Sequence, residues 1–94
     1  GRGMRLYLGT IPDYSSEIKD GVLISGTSKG SPAEVAGLQA GDVIIEMGGM
    51  KIKNLNDYVY CLQALKANEK TKMRILRAGK ERELQITPLS KVQR

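Results

Sequence analysis

Gly30-Ser31-Pro32-Ala33-Glu34-Val35-Ala36-Gly37-Leu38-Gln39-Ala40-Gly41-Asp42-Val43-Ile44-Ile45-Glu46-Met47-Gly48-Gly49 is a short helix, a tight exit and a strand, written with little slack. Ser31 is a natural N-cap whose oxygen can accept from the Glu34 amide. Glu34, three residues on, can reach back, so Ser31 to Glu34 forms a capping box. Pro32 takes the first helical position, where its missing N–H costs nothing. Val35 and Ala36 supply a small apolar face. Gly37 is the left-handed residue that ends the helix, and Leu38 tucks back under it. Gly41-Asp42 turns the chain into the buried strand Val43-Ile44-Ile45, and Gly48-Gly49 closes that strand into a turn.

Outward from this stretch, composition sets the frame. Ninety-four residues with 40% apolar content allow one domain with one modest core. There is no Trp and no Phe, so Val, Ile, Leu and Met must fill it. We read 1–94 as a single domain, with 1–4 as linker or tag and 88–94 as a frayed tail. No signal peptide is recognisable and no run reaches the length of a membrane helix, so the expectation is an excised module whose address lies elsewhere. The net charge is +5, but it is unevenly placed. From Lys66 onward there are nine Lys/Arg and three Asp/Glu. Lys72 and Arg74 alternate there with Met73 and Ile75, which marks the wet face of a sheet rather than a nucleic-acid surface.

In chain order, residues 5–11 have strand character interrupted by Gly9. Residues 12–21 form a polar, turn-rich loop. Gly21 to Gly26 is an apolar run suited to a central strand. After the Gly48-Gly49 turn, Met50-Lys51-Ile52 is a short strand, and Asn54 caps a second helix over about Leu55 to Lys66. Its apolar residues Leu55, Tyr58, Val59, Cys61, Leu62 and Leu65 span a wide face. Lys72–Leu76 and Arg82–Thr87 alternate in period two around Ala78-Gly79-Lys80, a β-hairpin that Pro88 ends.

Enzyme chemistry has little to work with. The chain contains no His, which rules out Ser-His-Asp and Cys-His arrangements and any histidine-based zinc site. The single cysteine, Cys61, can form neither an internal disulfide nor a thiolate metal site and reads as a buried, inert thiol. The acidic residues lack calcium-loop spacing, and no phosphate loop is present. We expect no catalytic residues, no metal and no cofactor in this fragment.

The ordered combination Gly-Ser-Pro-Ala-Glu, Ala-Gly-Leu and Ala-Gly-Asp-Val-Ile resembles the first helix and following strand of bacterial PDZ domains. Tyr7-Leu8-Gly9-Thr10 looks like the bacterial version of that family's carboxylate-binding loop, and its early position resembles the circularly permuted order of protease-associated members. Thr10 to Tyr14 is similar to PDZ domains attached to M28-type zinc aminopeptidases; HtrA-type serine proteases are the other setting. The resemblance covers about Tyr7 to Thr87. It implies a mainly β fold with two helices: a PDZ-like, partly open β-barrel of five to six strands capped by two α-helices.

The resemblance also implies function. An extended peptide, held by its C-terminus, would add as a strand in the groove between the strand at 8–12 and the helix at 55–66. The amides of Leu8, Gly9 and Thr10, following Tyr7, would receive the terminal carboxylate, with Arg5 assisting. Ile11, Leu62 and Leu65 would line the terminal pocket, Tyr58 would stand at the groove, and Cys61 and Ala64 would face the core. The partner would be a peptide or protein C-terminus, or the catalytic domain of the parent chain, with no nucleic acid. An exported, periplasmic or cell-surface bacterial peptidase would be the parent. The alternatives are an intramolecular docking domain that never binds free peptide, and nucleic-acid binding through the basic hairpin.

Overall fold

The computed structural model describes residues 4–15 and 20–92. Eight strands and two helices follow in the order β1 (Met4–Tyr7), β2 (Thr10–Pro12), β3 (Val22–Thr27), α1 (Pro32–Ala36), β4 (Val43–Met47), β5 (Met50–Lys51), α2 (Leu55–Ala64), β6 (Thr71–Arg77), β7 (Lys80–Ile86) and β8 (Leu89–Val92). The fold is mainly β with two helices, as expected. The larger sheet runs β2-β3-β4-β6-β7, with β5 paired to β4, and every pairing is antiparallel. The hairpin turn between β6 and β7 has positive φ at both central residues, Ala78 (53°) and Gly79 (80°). That is the turn whose twist matches its flanking strands.

Two expectations at the ends of the chain need correction. Residues 5–11 form two strands rather than one, because Leu8 and Gly9 break the extended run. Residues 89–92, expected within a frayed tail, form β8, which pairs with β1, Met4 opposite Val92 and Tyr7 opposite Leu89, in a separate two-stranded sheet; 93–94 lie outside the described residues. That ladder gives backbone groups at both ends of the chain a partner, which an alternating charged tail does not advertise.

The core is built by Leu8, Val22, Ile24, Ala33, Leu38, Ile44, Met47, Ile52, Tyr58, Cys61, Met73, Ile75 and Ile86. Met73 and Ile75 point into it, while Lys72 and Arg74 take the outer face of β6 among Glu46, Glu81 and Glu83 at 3.5–4.0 Å. On the outer face of the basic hairpin, Lys72 and Arg74 are thus paired with carboxylates in contact with solvent.

The helix α1 follows its sequence signals with two adjustments. Ser31 caps it and accepts from Glu34 N at 3.2 Å, Pro32 opens it, and Gly37 ends it at φ 100°. The Glu34 carboxylate reaches one residue further back than a standard capping box and accepts from Gly30 N at 2.6 Å. The buried side of this single turn is Pro32 and Ala33; Val35, expected on the apolar face, is 82% exposed.

Beyond the helix, Asp42 is 1% exposed and forms a two-pronged pair with Arg77 of β6, each contact 2.8 Å. Asp42 also accepts from Gln39 N, and Arg77 donates to the Gly37 carbonyl. Burial pushes the Asp42 carboxyl up, but the hydrogen bonds from Arg77 and Gln39 outweigh it, and the group titrates below the ordinary carboxylate value.

Candidate functional site: the edge of β2 and the face of α2

The site starts at a glycine. Gly9 lies at φ +84°, and a Cβ there would overlap the side chain of Ser31, the cap of α1. No other residue type fits this seat without displacing the helix cap. The chain is fastened on both sides of the amide bond. Leu8 O accepts from Ala33 N at 2.8 Å, which satisfies one of the free donors of the first turn of α1, and Gly9 O accepts from Ser28 N at 2.8 Å. Leu8 itself is a core residue. With both carbonyls engaged, the N–H groups of Leu8 and Gly9 find no backbone acceptor among the described residues.

The next residues expose an edge. Ser28 N to Gly9 O and Asp13 N to Leu23 O bracket the pairs Thr10–Thr27 and Pro12–Ile24. Residues so bracketed direct their own N–H and C=O away from the neighbouring strand. Thr10 and Pro12 therefore present their backbone to the free edge of β2, the last strand of its sheet. Pro12 has no N–H to offer, which fits a proline on an edge. A register shift lies between Ile11 and Pro12. It leaves Ser25 unpaired on β3, where its hydroxyl donates to Ile11 O at 3.2 Å.

The helix α2 forms the opposite wall. Asn54 caps it by accepting from Asp57 N at 2.8 Å. Tyr58 and Cys61 are its buried residues, and Cys61 Sγ donates to Met47 O at 3.1 Å. Burial pushes the Cys61 thiol up, which keeps it protonated and unreactive. Leu55, Val59 and Leu62 recur at i, i+4 and i+7, one stripe beside that buried pair. Leu55 and Leu62 are half-buried and Val59 is 47% exposed. Leu55 lines a cavity of 170 Å³ together with Pro12, Val22 and Leu23, which puts the stripe on the β2 side. The two walls meet where the Tyr58 and Thr10 hydroxyls share a hydrogen bond. Tyr58 is 4% exposed, and its burial pushes the phenol up to about 12 even with Thr10 bonded to it, so it is neutral at any physiological pH.

The predicted site residues are thus only partly brought together. Leu8 and Gly9 lie between β1 and β2 and Thr10 opens β2, Tyr7 precedes them at the end of β1, and Leu62 is on the stripe with Leu55 and Val59. Because Thr10 points at α2, Ile11 points to the opposite side of the strand and is 44% exposed. Tyr58 lies beneath the groove as a core residue. Leu65 packs on the β4–β5 turn: a Cβ on Gly48 would lie 2.9 Å from Leu65 Cδ2. Ala64, expected in the core, is exposed. Arg5 is on β1, with its side chain outside the described residues, as are residues 16–19 of the polar loop after β2. Leu55 and Val59 are the missed members; their i, i+4, i+7 spacing with Leu62 was the available signal. Among the described residues, no group of His, Cys, Asp or Glu could hold a metal ion, and no helix is long and apolar enough to cross a membrane.

Comparison with known proteins places this geometry. The family model described as "PDZ domain" matches residues 23–77. A probable periplasmic serine endoprotease, DegP-like, from Marinomonas sp. (strain MWYL1) is 35% identical over 96 residues, covering 93% of this chain and 20% of the relative. The serine endoprotease DegS of Haemophilus influenzae is 35% identical over 80 residues, covering 85% and 24%. The chain therefore spans about a fifth to a quarter of the length of these relatives. Among solved structures, the HtrA-type protease AlgW with decapeptide superposes with TM-score 0.80 at 19% identity, over 97% of this chain and 30% of that one. The HtrA3 PDZ domain bound to a phage-derived ligand superposes with TM-score 0.74 at 17% identity, over 95% and 89%. These matches speak for the HtrA-type setting and leave the M28 likeness without support.

Proposed function

This chain belongs to the PDZ domain family, a non-catalytic module, and from that premise we propose that it captures the C-terminal end of an extended peptide along the free edge of β2. The observation that carries this reading is the junction at Gly9: two donor amides without backbone acceptors among the described residues, held on the α1 cap, at the end of a strand edge unpaired among those residues that faces an apolar stripe. A carboxylate placed there completes the donors of Leu8, Gly9 and Thr10, and the peptide behind it adds to β2 as a further strand. Leu55, Val59 and Leu62 form the wall its side chains meet. The half-exposed Val59 speaks for a groove open to free peptide rather than one filled by its own chain.

The parent, on this reading, is an exported bacterial serine protease in which the module binds peptide beside a catalytic domain. Titration with a peptide in free-acid and C-terminally amidated forms tests the binding site. Hydrogen bonds to a charged group contribute about 1.5–3 kcal/mol, so the amide form should bind roughly ten- to a hundredfold more weakly. Equal affinity for the two forms would place the carboxylate elsewhere. Amide shifts on adding an oligonucleotide, with none on adding peptide, would return the function to the basic hairpin.

A further inference from the structure

Beneath the candidate carboxylate seat, the floor of the groove is closed by one large side chain and capped by two hydroxyls. Tyr58 sits in the core row of α2, beside the groove stripe rather than on it, and its ring fills the space between that helix and β2. Its hydroxyl ends on Thr10 Oγ1. Thr10 in turn is the first residue of β2 and directs both its backbone groups to the free edge and its side chain toward α2. Two features of a terminal subsite are thereby set at once. The subsite is shallow, because the volume a smaller residue at position 58 would leave open is occupied by the ring. Its base is polar, because the Tyr58 and Thr10 hydroxyls lie where a deep subsite would offer hydrocarbon.

Resting on the peptide-binding reading above, we propose that Thr10 and Tyr58 are the specificity-determining pair of this groove, restricting the last residue of the ligand to small side chains such as Ala, Ser or Val. A last residue whose carboxylate occupies the Leu8–Thr10 amides sets its own side chain over Thr10. A phenyl ring or a leucyl branch pointing down meets the hydroxyl pair, which cannot be displaced without breaking its bond. A methyl, a hydroxymethyl or an isopropyl group stays above it. The floor is fixed rather than adaptable: the Tyr58 ring is packed on all sides, and Thr10 is β-branched and stiff at its first torsion.

The experiment uses a series of free-acid peptides identical but for the last residue, which is Ala, Ser, Val, Leu or Phe, titrated against the parent sequence and three variants. The parent is expected to bind the Ala, Ser and Val peptides at least fivefold more tightly than the Phe peptide. Tyr58→Phe and Thr10→Val each remove one hydroxyl at nearly constant shape and should narrow that gap, and the two changes together should add little to either alone. Tyr58→Leu opens the floor and should turn the preference toward Leu and Phe. If the parent binds Phe as well as Val, or if all the variants keep the parental ranking, the assignment is overturned. Should Tyr58→Leu fail to fold, the two hydroxyl deletions still decide the matter, since neither removes core volume. The wider reading fails differently, by no peptide binding at all or by equal binding of acid and amide.

Discussion

Two loop-to-helix junctions in this molecule answer opposite demands. Around α1, from Gly30 to Asp42, nearly every polar group is satisfied from within: the Ser31 cap, the Glu34 reach-back, the Gly37 exit, and the Asp42 carboxylate gripped by Arg77. Along β2 and α2, by contrast, donors and apolar surface are left open, at Leu8, Gly9, Thr10 and Val59. The two meet at the contact of Gly9 with Ser31 and the bond from Ala33 N to Leu8 O. The unfinished surface can be held in one conformation because the region behind it is finished.

The sharpest way to break this division is to unlock the closed side. Arg77→Ala takes the cation from the Asp42 carboxylate; the Arg77 side chain is 24% exposed, so the cost should lie toward or below the lower end of the about 3–5 kcal/mol of a fully buried pair. The midpoint of urea unfolding should fall accordingly, although neither Arg77 nor Asp42 approaches the groove. A shift below about 1 kcal/mol would mean that water replaces the guanidinium. Gly9→Ala attacks the seam between the two regions. Strain at a left-handed residue, of order 1–3 kcal/mol, joins the clash with Ser31, so both stability and carboxylate binding should drop. Loss of stability alone would detach the groove from the cap.

Pro12→Val acts on the open side only. It restores one N–H at the β2 edge, which is worth about 0.5–1.5 kcal/mol, so a long peptide should bind up to about tenfold more tightly and a two-residue ligand should not change. Unchanged or abolished binding of the long peptide would take Pro12 off the ligand-facing edge.

The smallest expected effect is the acid limb of stability. Asp42 has a folded pKa below its unfolded value near 3.8, so its contribution is fully present above that value and is lost as pH falls through the folded one. A melting curve series should therefore show no Asp42 contribution to slope between pH 5 and 8 and a decline below about pH 4. Asp42→Asn should flatten that decline; an unaltered decline would assign acid lability to other carboxylates.

The sequence exposes these two regions unequally, for physical reasons. Ser31, Pro32, Gly37 and Gly41 act through their own backbone within a few residues, so α1 and its exit could be read directly. On α2, the rows Tyr58–Cys61–Leu65 and Leu55–Val59–Leu62 are both apolar, and periodicity alone does not say which row is core. Tertiary packing decides: Leu65 finds Gly48, Cys61 finds Met47, and Tyr58 finds Thr10. The groove stripe is therefore displaced by one helical turn from the expected one. The sequence points to Ile11 as the lining residue of β2, and the bond between the Thr10 and Tyr58 hydroxyls sets the pleat the other way. The strand β8 has no local signal because its partner, β1, is nearly the whole chain away in sequence.

That last pairing also determines how the domain responds to tension. With Met4 opposite Val92, a pull on the two chain ends loads the β1–β8 ribbon at its tip, so it opens like a zipper, one rung at a time, rather than yielding in shear. The unzipping runs from Met4 toward Tyr7 on one strand and from Val92 toward Leu89 on the other, and arrives together at Leu8 and at Pro88, the entry to β7 of the six-stranded sheet. The loop of the candidate carboxylate seat and the end of β7 are thus the first parts of the described domain that such a pull would reach.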